Sequence, residues 1–81
     1  MRRRTLALGD RNIVGARVTE RRRELGMLQT ELLARMQTRG VSISAPALSL
    51  LEGQKRPVSD TELAALADIL GVSADWLLGR E

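Results

Sequence analysis

Apolar residues recur along the chain at spacings of three and four, in short blocks separated by Gly, Ser and Pro. Such spacing gathers apolar side chains on one face of a helix. The first block runs through Val14, Val18, Arg21/Arg22 and Leu25, with Asp10 or Asn12 able to cap its start and Gly26 to stop it. The second spans about 29–38, with Leu32, Leu33 and Met36 as its stripe and Gly40 beyond its end. Its start is poorly capped, because Leu28 has no acceptor oxygen and Thr30 lies late. After a turn at 40–44, Ser44 caps a third helix over about 45–52, where Pro46 fits the first turn and Leu48 and Leu51 face inward. Gly53 closes it, and 54–57 read as an exposed loop. Ser59-Asp60-Thr61-Glu62 is a capping box, followed by Leu63, Leu66, Ala67 and Leu70 and stopped by Gly71. A short fifth helix follows Ser73 and carries Trp76, Leu77 and Leu78. The pattern predicts a compact all-α domain of five helices over 10–81, behind an aperiodic basic arm at 1–9.

Composition narrows the chemistry. The 81 residues suffice for one small domain. Fourteen Leu against five Val and three Ile favour helix over strand. With no Cys and no His, disulfide frameworks, Cys/His zinc sites and His-based nucleophilic catalysis are excluded. Trp76 is the only aromatic residue, which argues against stacking platforms for single strands. The acids Asp60, Glu62, Asp68 and Asp75 read as caps and solvated helix faces, and the glycines are dispersed as helix punctuation rather than gathered in a phosphate loop. No catalytic residue, metal or cofactor is expected.

The net charge of +3 is unevenly placed: residues 1–40 hold ten Arg against four acids, a net of +6, and residues 41–81 a net of −3. A basic front half points to a polyanionic partner. Arg2, Arg3 and Arg4 mimic the start of a signal peptide, but Leu6-Ala7-Leu8 is too short for its apolar region, and no stretch has membrane length. The expected location is therefore cytoplasmic, with no membrane association.

The order of motifs then suggests a family. The run Asn12 to Ala34 resembles the opening of Xre/Cro-type (lambda-repressor-like) helix-turn-helix repressors. So does Leu48-Ser49-Leu50-Leu51-Glu52, followed by Lys55-Arg56-Pro57. The tail from Leu63 to Gly79 is similar to the family's last two helices. The resemblance implies a five-helix fold whose second and third helices bind duplex DNA, with the third, 45–52, in the major groove. It further implies a homodimer on a two-fold operator and action as a transcriptional regulator, a repressor above all.

The resemblance assigns roles residue by residue. Arg22 matches an Arg that pairs with the Glu ending the reading helix, here Glu52. Gln29, with Thr30 beside it, stands where the family meets a DNA phosphate, and Lys55 and Arg56 match a loop that does the same. The arm Arg2-Arg3-Arg4 can track a groove.

Three departures stand out. The second turn is longer by about five residues, Gln54 follows Gly53 where the pattern has its glycine second, and Arg21 replaces a common apolar residue, to snorkel at the core edge or meet a phosphate. More consequential is the reading helix, where Ala45, Pro46, Ala47 and Leu50 replace the side chains that hydrogen-bond bases. They can touch a thymine methyl, and Ser42, Ser44 and Ser49 remain as hydroxyls. Either contacts to the backbone dominate, with shape, thymine methyls and serines giving preference, or the apolar face Ala45/Pro46/Ala47/Leu50 binds a protein partner. Trp76, Leu77 and Leu78 are core residues of the last helix or a dimer seam, with Leu78 the one expected to be left exposed.

Overall fold

The computed structural model describes residues 11–81. The expected arm, with Arg2, Arg3, Arg4 and the candidate cap Asp10, lies outside the described residues. Within them the chain forms helices α1 (Gly15–Glu24), α2 (Gln29–Thr38), α3 (Ala45–Glu52), α4 (Asp60–Leu70) and α5 (Ala74–Leu77), and no strand. None of these helices is long and apolar enough to cross a membrane.

Helices α1 and α3 pack together, α2 lies against α3 and α4, and α4 also contacts α1 and α5. The shared core holds Val18, Leu32, Met36, Leu48, Leu51, Leu66, Leu70 and Leu77, all essentially inaccessible. These are the i, i+3, i+4 positions of each helix, so burying one stripe per helix explains the packing. Leu25 is a correction. It extends the α1 stripe on paper, yet it is 44% exposed. The helix has already ended there, and Met27, two residues on, is buried instead.

The starts and ends follow local chemistry. Asn12 does cap α1, from three residues ahead of it. Its Oδ1 accepts from Val14 N at 3.1 Å and Gly15 N at 2.8 Å. At α2 the cap is neither Leu28 nor the exposed Thr30: Glu31 reaches back, and its Oε1 accepts from Leu28 N at 2.7 Å. Ser44, Ser59 and Ser73 cap the other three, accepting from Ala47, Glu62 and Trp76 N.

All five helices end in the same six-to-one turn, with closing bonds such as Val41 N to Met36 O and Val72 N to Ala67 O, both 3.0 Å. The residue at the bend needs a left-handed backbone. In α1, α2, α4 and α5 it is Gly26, Gly40, Gly71 and Gly79, with φ between 67° and 83°. In α3 it is Gln54, at φ 62°. Gly53, expected to close α3, has φ −83° and needs no glycine freedom. The sequence departure at Gln54 thus marks a non-glycine residue held in the left-handed region.

The long α2–α3 turn is held inward by Ile43, which is buried and whose carbonyl accepts from Gln37 Nε2 at 3.2 Å. Helix α5 brings Leu77 fully into the core, while Trp76 and Leu78 are half-buried. Leu77 therefore cannot serve a surface seam, and Leu78 is less exposed than expected.

Candidate nucleic-acid interface

The centre of the site is the inner end of α3. Glu52 Oε2 accepts from Arg22 Nε at 2.9 Å, and Oε1 accepts from Arg22 Nη2, Thr19 Oγ1 and Gln29 Nε2, each at 3.1 Å. The two charged side chains are only 12% and 6% exposed. Arg22 also donates Nη1 to Met27 O at 2.9 Å. A forked guanidinium on a carboxylate fixes two helices in distance and rotation at once. Here the network joins α1 (Thr19, Arg22), the start of α2 (Gln29) and the end of α3.

A second clamp lies one turn away. Asn12 Nδ2 donates to Leu51 O at 3.1 Å and to Arg56 O at 2.8 Å, while the Asn12 carbonyl accepts from Gln54 Nε2 at 3.0 Å. These bonds hold Gln54 in its bend and tie the segment ahead of α1 to the end of α3 and the loop that follows it. Gly15 belongs to the same contact: a Cβ there would collide with Leu51 O and sit 2.9 Å from Glu52 O. Only glycine lets α1 approach α3 this closely.

The outer face of α3 is built differently. Ala45, Pro46, Ser49 and Leu50 are exposed, Leu50 at 46%. Ala47 is half-buried against the core, so it leaves the outward face that sequence reasoning gave it. Ser44 Oγ caps the helix through Ala47 N at 3.2 Å, and Ser49 Oγ donates to Gln29 Oε1 at 3.1 Å. Gln29 is thus engaged by both Ser49 and Glu52, with one amide hydrogen given to the carboxylate. Ser42 lines the cleft against α4 with Thr61 and Ala64 instead of joining that face.

Basic residues border this face unevenly. Lys55 is exposed just past the end of α3. Arg11, not singled out from the sequence, is placed beside it, because its backbone N donates to Gln54 O at 3.2 Å. Arg56 is committed inward: its Nη1 lies 3.3 Å from both oxygens of the buried Glu62, whose Oε1 also accepts from Ser59 N at 3.0 Å. Glu62 is therefore an interior acid, not a solvated one.

The arginines of α1 are likewise largely occupied. Arg21, half-buried at the core edge, has internal partners, Glu24 among them. Its Nε donates to Leu70 O at 3.0 Å and closes the end of α4. Arg17 lies over the Trp76 ring, 4.7 Å from its centroid, and donates Nη1 to Trp76 O at 3.0 Å. That contact covers one side of the half-buried Trp76 with charge.

No protein-family model, no curated protein and no solved structure matches the chain. The side-chain geometry therefore carries the functional reading.

Proposed function

We propose that the protein is a double-stranded DNA-binding transcriptional regulator of the Xre/Cro helix-turn-helix type, acting as a repressor by occupying an operator. Helices α2 and α3 form the binding unit, and α3 enters the major groove. The observation that carries this reading is the asymmetry of α3. Its inner end is locked to α1 and α2 through Glu52. Its outer face stays exposed, with Lys55 and the chain at Arg11 at its C-terminal end. A helix held rigidly from behind with a free front and cations at its edge suits a duplex groove.

Affinity in this reading comes from phosphate contacts by Lys55, Arg11 and the arm at Arg2–Arg4. Arg56 supports Glu62 and contributes less. The protein works as a homodimer in the cytoplasm and needs no cofactor, no metal and no catalytic group. Half-sites then lie about one helical turn of DNA apart. Selection from a random duplex pool tests the proposal: an enriched palindrome with that spacing is expected, and an unenriched pool contradicts it.

A second reading rests on one observation. Leu50 is 46% exposed beside Ala45 and Pro46, a small apolar surface that can instead seat a protein. Binding without salt dependence would favour it.

A further inference from the structure

The side chains that α3 offers outward decide what it can recognise. Three of the four exposed ones within the helix, Ala45, Pro46 and Leu50, are hydrocarbon. The fourth, Ser49, already gives its proton to Gln29 Oε1 at 3.1 Å. Gln29, the usual kind of side chain for a bidentate bond to adenine, has its amide N on Glu52 Oε1 at 3.1 Å. Ser44 is spent at the helix cap, accepting from Ala47 N at 3.2 Å. The outward face of α3 itself therefore carries no side chain able to make a bidentate bond to guanine or adenine.

The major groove presents one apolar group of its own, the C5-methyl of a pyrimidine. Pro46 and Leu50 are four residues apart and so lie on one stripe of the helix. We infer that α3 selects its target through C5-methyl groups packed against Pro46 and Leu50. The ligand chemistry is a duplex with methylated pyrimidines at the contacted positions, supplied by thymine or by 5-methylcytosine. The inference rests on the DNA-binding reading above and specifies what that binding selects. The structure favours methyl packing over shape alone, because Leu50 is a large side chain kept 46% exposed on the groove-facing side of a helix whose other large aliphatic residues, Leu48 and Leu51, are fully buried.

Replacing thymine by deoxyuridine tests this directly. It removes the C5-methyl and leaves every hydrogen-bonding group in place. Starting from the tightest duplex in a random-pool selection, each thymine is exchanged in turn and binding is measured by fluorescence anisotropy. At contacted positions affinity is expected to fall about four-fold per methyl, the factor that follows from exposing one buried methyl group. Leu50→Ala should bring the thymine-to-uridine ratio close to one at one position and leave the ratio at the others. Pro46→Ala should do the same at a neighbouring position. Both residues are exposed, so retained helicity by circular dichroism confirms that the variants fold. Placing cytosine and then 5-methylcytosine at those thymine positions separates the two sources: tighter binding of the methylated form assigns both, and a loss at uridine without that gain assigns thymine alone.

Equal affinity for the thymine and uridine duplexes, with salt-dependent binding intact, overturns methyl selection and leaves DNA binding standing. No binding to any duplex at low salt overturns DNA binding, and methyl selection with it.

Discussion

The inner end of α3 and its outward face meet their surroundings through unlike chemistry. At the inner end the Glu52 carboxylate meets a guanidinium and a hydroxyl from α1 and an amide from α2, all partly buried and all hydrogen-bonded. The outward face carries Ala45, Pro46 and Leu50 in solvent. A buried ion pair costs desolvation and returns it only with near-ideal geometry. What such a pair supplies here is orientation: Glu52 meets α1 and α2 through separate bonds and leaves α3 one rotation about its axis. The outward face contributes little to the fold, so its residue types are free to serve contact with something else.

Breaking the inward side should have the largest effect. Arg22→Ala leaves Glu52 charged and buried with only Thr19 and Gln29 as donors, so urea unfolding should show a loss of about 3–5 kcal/mol. An unchanged midpoint would remove the ion pair from its structural role. Next comes Gly15→Ala, whose added carbon meets the Leu51 and Glu52 carbonyls and forces α1 off α3. Overpacking of this kind costs about 1–3 kcal/mol, measurable in the same titration. Smallest is Leu50→Ala on the outward side, where stability should stay within about 0.5 kcal/mol. A loss as large as that of Gly15→Ala would mean that Leu50 is core and the contrast between the faces is false.

Much of this organisation was legible in the chain. Helix boundaries at 29–38 and 45–52 follow from Ser44, Pro46 and the Leu spacing, and the Ser59–Glu62 box marks α4. The inward stripes follow from period alone, since each is local. What was not legible depends on who meets whom across the fold. Leu25 fits the period but lies past the helix end, where solvent reaches it. Asn12 reads as a cap and is one, yet its amide also ties down Leu51 and Arg56, 39 and 44 residues away. Arg21, Arg17 and Arg56 look like parts of a polyanion footprint, and each instead closes a helix end, covers Trp76 or neutralises Glu62. A charge count cannot distinguish such internal partners from external ones. The one signal that was available is Gln54, standing where the resemblance places glycine. A residue held at φ 62° needs compensation, and its bond to Asn12 supplies it.

The salt dependence of duplex binding tests the central claim most directly. If Lys55, Arg11 and the arm neutralise phosphates, log Kd should rise linearly with log salt, with a slope of about 0.9 for each phosphate met. Lys55→Ala should make that slope shallower by about one while weakening binding to all sequences alike. A Kd that stays flat between about 50 and 200 mM salt, with Lys55→Ala indistinguishable from wild type, would contradict a role for this face on DNA.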